Sequence, residues 1–402
     1  MKKLKWQNPG LLFVAQELIK KVKLVCCGIK FMKKKKYLFD CSFIGANDIY
    51  NSIPIYATRL IQALPSDVAN ESIVLISLGL EAYFKSLNPH VNLVTINYHT
   101  ILSKIPKIGV RFNKWLYNRY ISNLDFDSVL IMDELRENNL FLTNKKKVAV
   151  IHDLKVVKDW KKKEEYFNYY SRLIQSCDSI IAISNYTKAD IVNIFGVPQS
   201  KIKVVYNSIV LPQTSSKPNN FDLGDNYILY VNTLHPYKNV LTLVKAFNEI
   251  KDYSDLNLVL VGKATLYWEK EVLDFINKNR IGNRVFRLQN LLNEEVKYLY
   301  EHARIFVTTS LREGFGYTPI EAAICKCPVI SSKCEALPDT TKNLLYYYEP
   351  AEDYVCLKNK IVEVIDNPPA DKQLAEISDI FKTQYSPHKQ ATEILKILND
   401  HF

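Results

Sequence analysis

Ser310–Pro328 reads SLREGFGYTPIEAAICKCP: a strand's polar end, a loop with two glycines, then a run with helical spacing. The glycines of 314–316 suit a tight turn, and Thr318, Pro319 and Glu321 fit the N-cap, first and third positions of a helix opening at about Pro319. The free amides of such a terminus face back toward Gly314, Phe315 and Gly316, where they favour an anion. Glu313 stands in the loop and Glu321 on the first turn, with seven residues between them. A carboxylate accepts two hydroxyls at once, so this spacing suits one ligand with two polyhydroxyl parts. A capping box between Thr318 and Glu321 accounts for the second glutamate equally well. Both readings stand at this point.

Outward from this stretch the pattern is strand and helix in alternation, which predicts parallel sheets. Toward the N-terminus, strands are expected at Tyr37–Ile44, Ser72–Leu78, Asn92–Ile96, Ser128–Met132, Val148–Ile151, Ser179–Ser184 and Ile202–Val205, with helices at Pro54–Leu64 and Tyr186–Phe195. Residues 207–226, NSIVLPQTSSKPNNFDLGDN, have linker composition. A second set follows: strands Tyr227–Val231, Leu256–Val261, Arg284–Leu288 and Ile305–Thr308, with helices Val240–Ile250, Tyr267–Asn277 and Glu294–His302. The expected fold class is α/β, two doubly wound Rossmann-like domains facing each other across a cleft. The expected boundaries are 1–36 for a basic N-terminal segment, 37–206 for the first domain, 207–226 for the linker, 227–383 for the second domain and 384–402 for a helix returning to the first. In open α/β sheets ligands bind beyond the carboxyl ends of the strands, so the cleft is the expected site.

A chain of 402 residues is too long for one ordinary core, and 48% hydrophobic with 24% charged residues is a globular composition. Residues 1–36 hold eleven lysines against one glutamate, a balance of +10, so only +1 of the net +11 belongs to residues 37–402. A nearly neutral body argues against a nucleic-acid partner. Leu11 to Ile29 is too charged to span a bilayer but places Leu11, Val14, Ala15, Leu18, Val22, Val25 and Ile29 on one helical stripe. That pattern suits an anchor on an anionic membrane surface or a helix packed on the body, and Met32 is a second candidate translation start. Eight cysteines without metal-site spacing suit a reducing compartment. Asp125 and Asp127 form an Asp-x-Asp pattern of the kind that holds a divalent metal against a diphosphate, but acidic residues in a turn before a strand are ordinary, and no metal or other cofactor is expected.

The stretch EGFGYTPIEAAICKCPVI resembles the signature of family-4 retaining glycosyltransferases of the GT-B fold (glycosyl transferases group 1). YILYVNTLHPYKN is similar to that family's first strand and phosphate loop in the second domain, IHDL and IIAISNYTKADIV to the last part of its first domain, and FIGAND to its first-domain loop. The resemblance covers residue 37 to the C-terminus. It implies transfer of a hexose-type sugar from a UDP- or GDP-sugar to an acceptor hydroxyl, with retention and without a metal. The acceptor would be a sugar or a lipid-linked sugar in bacterial surface polysaccharide or glycolipid synthesis. The expected location is cytoplasmic, peripheral on the inner face of the membrane.

By position, the resemblance gives Glu321 the ribose hydroxyls, Glu313 the transferred sugar, and Gly314, Phe315 and Gly316 backbone amides. Thr318 and Gly45 join the donor site, Lys238 faces the diphosphate, and His152 contacts the sugar from the other side. A strand-end histidine with Asp153 as a turn cap is the plainer reading of IHDL taken alone. The chain departs from the family at Asn232 and Thr233, where the lysine's usual basic partner is missing, at the single glycine Gly45, and at Cys325, Lys326 and Cys327. A non-catalytic membrane-associated assembly protein of the same fold and a sugar-nucleotide epimerase are the alternatives.

Overall fold

The structure, a computed structural model, describes residues 35–47, 49, 52–96, 108–133, 145–159, 163–219, 221–253 and 255–400. The basic segment proposed as an anchor lies outside them, apart from its last two residues. Among the described residues no helix is long and apolar enough to cross a membrane.

The first sheet is built from β1 (Tyr37–Cys41), α1 (Ser52–Ala63), α2 (Ser66–Glu71), β2 (Ile73–Ser77), α3 (Glu81–Leu87), β3 (Asn92–Ile96), α4 (Ile108–Ser122) and β4 (Ser128–Ile131). It continues with β5 (Lys146–Ile151), α5 (Lys155–Asp159), α6 (Lys163–Ser176), β6 (Ser179–Ala182), α7 (Asn185–Phe195) and β7 (Ile202–Val204). All pairings are parallel, in the order β3-β2-β1-β4-β5-β6-β7. Residues 205–226 contain neither helix nor strand among those described.

The second sheet follows from β8 (Tyr227–Val231), α8 (Val240–Ile250), β9 (Asn257–Val261), α9 (Leu273–Lys278), β10 (Val285–Leu288), α10 (Asn293–His302), β11 (Ile305–Thr308) and α11 (Tyr317–Ile324). Then come β12 (Val329–Ser332), α12 (Leu337–Thr340), β13 (Tyr346–Tyr348), α13 (Tyr354–Asp366), α14 (Asp371–Gln384) and α15 (Pro387–Asn399). This sheet is also wholly parallel, in the order β10-β9-β8-β11-β12-β13. Both domains are therefore doubly wound, as the alternation predicted, and each strand order reverses beside its first strand, leaving a crevice at the carboxyl ends.

Strands buried on both faces explain the unbroken apolar runs. Leu38 belongs to the core on one side of the first sheet and Phe39 to the core on the other; Ile228 and Leu229 divide the second sheet in the same way. The core holding Phe39 is continuous with that holding Leu229 and includes Phe381, Ile394 and Leu398 of the last two helices and Tyr385 between them. α15 lies against the first domain: Tyr37 donates to Asn399 at 2.6 Å, Ser128 to the Leu398 carbonyl at 3.2 Å and Lys146 to the Ile397 carbonyl at 2.6 Å. Ser386 caps α15 from the Lys389 amide, and Pro387 occupies its first turn.

Several element boundaries differ from the sequence reading. β1 stops at Cys41, because Asp40 accepts from the Ser42 amide and hydroxyl and turns the chain three residues early. β6 stops at Ala182, and Ser184 instead caps α7 by accepting from the Thr187 amide at 3.1 Å. The expected helix at Tyr267–Asn277 opens with a π-helical turn, Trp268–Val272. Asp125 and Asp127 sit at the amino end of β4, opposite the cleft: Lys36 bonds Asp125 through its ammonium at 2.7 Å and Asp127 through its amide at 2.9 Å. The pair anchors the entry to β1.

Candidate active site

The crevice of the second sheet lies where β8 and β11 separate, and the loops after these two strands supply its centre. After β8 the chain makes a tight turn, Pro236–Lys238, closed by Asn239 in the left-handed region at φ 54°. That turn aims Lys238 inward; it is 8% exposed, unusual for a lysine without a partner. Its partner is Glu313, on the loop after β11: Lys238 Nζ lies 2.5 Å from Glu313 Oε1, and Ser310 Oγ donates to the same oxygen at 2.9 Å. An ion pair this buried is stable only with its hydrogen bonds filled, and removing one partner strands the other charge. One of the three ammonium donors is spent on Glu313, leaving two for an incoming anion.

Gly316 explains how the loop becomes a helix. Its φ is +83°, a conformation that L side chains rarely adopt, and a Cβ there would also stand 2.3 Å from Leu337 Cδ2, so that side chain would have to move. α11 accordingly opens at Tyr317 with Gly316 as its N-cap. This corrects the sequence reading: Thr318 lies inside the first turn rather than at the N-cap, and no side chain caps the helix. The capping box falls with it, because Glu321 Oε2 accepts from Tyr300 Oη at 3.3 Å instead. Glu321 is half-buried. Burial raises its carboxyl above the ordinary range, against the pull of the Arg59 guanidinium and the Tyr300 hydroxyl.

Across the cleft, His152 follows β5. Its Nε2 lies 3.0 Å from the Met132 carbonyl oxygen, and its ring meets Tyr56 edge-on at 4.9 Å. Burial lowers its pKa to about 4, against the opposing effects of that carbonyl and of Asp153, so the ring is neutral near pH 7. The two domains touch here: a Cβ on Gly314 would come 2.8 Å from the His152 carbonyl oxygen.

The resulting cavity, about 700 Å³, is lined by His152, Lys238, Glu313, Gly314, Phe315, Gly316 and Thr318, among others. Seven of the sequence-selected residues thus meet in one place. Glu321 lies a turn beyond them on α11, and Gly45 lies in the loop after β1; neither lines this cavity. The sequence reading missed Lys155, which also lines it and stands 5.6 Å from the Tyr237 ring that precedes Lys238. Burial works against the Lys155 ammonium, but the Asp153 and Glu313 carboxylates outweigh it and its pKa is raised. Its signal was only its place three residues after His152. Also missed were Asn207, a cleft residue 1% exposed, and three residues that join the domains: Tyr186, Glu335 and Asp339.

Two wholly parallel doubly wound domains that face each other across a cavity have the architecture of the GT-B fold. The family profile Glycosyltransferase Family 4 matches residues 56–211, and Glycosyl transferases group 1 matches residues 213–379. The chain belongs to the GT-B glycosyltransferases of this group 1/family 4 type.

Among its relatives are O-antigen chain mannosyltransferase B of Escherichia coli, 26% identical over 48% of this chain and 54% of its own. Another is O-antigen chain mannosyltransferase RfbU of Salmonella typhimurium, 29% identical over 47% and 52%. The chain thus spans about half the length of the curated relatives it matches. Among solved structures, Anabaena Alr3699/HepE in complex with UDP and glucose superimposes with a TM-score of 0.69 at 14% identity, covering 91% of this chain and 100% of that one.

Proposed function

We propose that this chain transfers a hexose-type sugar, with retention, from a UDP- or GDP-linked donor to an acceptor hydroxyl in the synthesis of a surface polysaccharide or glycolipid. The observation that carries the reading is the buried Lys238–Glu313 pair at the carboxyl ends of β8 and β11, beside the N-terminus of α11 and opposite His152. Lys238 meets the diphosphate and stabilises the charge that grows on it as the glycosidic bond breaks. The backbone at Gly316–Thr318 adds helix-terminal amides to the same anion. Glu313 accepts hydroxyls of the transferred sugar, and Glu321, with Tyr300 behind it, accepts those of the ribose. His152, neutral at pH 7, offers an uncharged hydrogen-bonding face to the sugar from the first domain. No metal takes part, so activity persists in EDTA.

The relatives' names favour an O-antigen-type product. A lipid-linked acceptor would bring the chain to the inner face of the membrane, with residues 1–36 supplying the attraction to anionic lipid. Deleting residues 1–31 would then abolish liposome binding while sparing donor binding.

Thermal unfolding with a panel of UDP, GDP, ADP and their sugars tests the reading. A true donor base at a hundred times its dissociation constant adds about 2.7 kcal/mol. We expect the shift with one base only, reduced in Glu321→Ala and in Lys238→Met, and transfer to give a product of unchanged anomeric configuration by NMR. No shift with any nucleotide would overturn the reading and favour a non-catalytic role.

A further inference from the structure

Glu313 is held at both ends of its backbone by a neighbouring loop. Glu335 Oε2 accepts from the Glu313 amide at 2.7 Å, and the Ala336 amide donates to the Glu313 carbonyl at 3.3 Å. Glu335 itself is a non-glycine residue in the left-handed region, φ 41°, a conformation that persists only where its surroundings hold it. Its other carboxylate oxygen, Oε1, accepts from Tyr186 Oη at 3.1 Å. Tyr186 lies on α7, in the first domain. Its hydroxyl accepts from Lys158 Nζ at 2.9 Å, and that ammonium is paired with Asp190 at 2.6 Å. One carboxylate therefore joins the backbone of the sugar-facing residue to a polar chain that belongs wholly to the other domain.

The domains are held together separately from this bridge. Asp339 accepts from the Asn185 amide at 2.7 Å, from Asn185 Nδ2 at 2.8 Å and from Tyr206 Oη at 2.8 Å. Closure can thus persist when the Tyr186 hydroxyl is lost, while Glu335 loses the contact that fixes its second oxygen.

We propose that Glu335 is a positioning residue that sets the backbone of Glu313, and that it does so fully only when closure brings the Tyr186 hydroxyl onto it. The proposal rests on the reading of Glu313 as the residue that meets the transferred sugar. Opening the cleft to admit donor would leave Glu313 loosely set, and closing it would restore the geometry. The coupling makes turnover depend on closure without adding a contact to the nucleotide.

Steady-state kinetics and nucleotide titration on the full chain test this with Glu335→Ala, Glu335→Gln and Tyr186→Phe, alongside hydrogen exchange at the Glu313 amide without substrate. A charge-assisted hydrogen bond supports losses of roughly 10- to 100-fold. We expect kcat about 30-fold lower in Glu335→Ala and about 10-fold lower in Tyr186→Phe. Nucleotide affinity should stay within about threefold, and Glu335→Gln, which keeps an acceptor for the amide, should recover most of the rate. Exchange at Glu313 should quicken in Glu335→Ala and Tyr186→Phe. Unchanged kcat, or nucleotide affinity falling in step with kcat, would overturn the proposal. Should the wild-type chain turn over no nucleotide sugar, the functional reading fails on its own, and exchange still decides the coupling: unchanged protection in Tyr186→Phe refutes it, faster exchange sustains it.

Discussion

Lys238 and Glu313 show why two charges survive at buried positions. Each is solvated by the other, so removing one leaves a buried ion without a counter-charge. Lys238→Met should cost about 3 kcal/mol in urea denaturation. The double variant Lys238→Met/Glu313→Leu should regain most of that loss yet remain inactive, which separates the pair's structural and chemical contributions. His152 carries a pH signature. Its folded pKa, about 4, lies below the ordinary 6.5, so its contribution to stability is complete above pH 6.5 and is lost as pH falls toward 4. The expected loss is on the order of 2–3 kcal/mol across that window. Unfolding free energies measured between pH 7 and 4 should show a shallower decline in His152→Gln than in the wild-type chain.

At the scale of elements, the glycine turn before α11 joins fold to site. α11 starts from a left-handed glycine without a side-chain cap, and Tyr317 and Thr318 of its first turn line the cleft. Gly316→Ala would add a Cβ at φ +83° against Leu337. It should destabilise by about 2 kcal/mol, with nucleotide binding weakened as α11 shifts; denaturation and titration of the same sample check both. Gly314 owes its identity to a different constraint. Its backbone is unstrained by φ, but the first domain lies too close to admit a side chain.

That contact belongs to the whole molecule. Gly314→Ala would press a methyl group onto the His152 carbonyl and hold the domains slightly apart. Because catalysis across a cleft is sensitive to sub-ångström misplacement, kcat should drop about tenfold while nucleotide affinity changes little. A drop in affinity equal to the drop in kcat would show that the methyl disturbs the donor side instead. The core shared by the two domains includes Tyr385, Ile394 and Leu398 of the C-terminal segment.

Much of this was legible in the residues. Apolar runs bounded by polar turns, repeated between helical spacings, determined two parallel sheets, because strands buried on both faces have no polar positions to spare. The glycines and glutamates of Ser310–Pro328 marked the loop at the centre of the site, and Lys238 and His152 each ended a recognisable strand-loop unit. Local chemistry decided less than it suggested at Thr318: the left-handed glycine took the capping position, and Glu321 turned to Tyr300. What only the tertiary structure decided are the contacts between residues far apart in the chain. Asn207, Tyr186, Glu335 and Asp339 carry no signature in their own neighbourhoods, and Lys155 only its place after His152, because their roles depend on the angle at which one domain meets the other. That angle is set by long-range packing and by a C-terminal helix that returns across the first sheet.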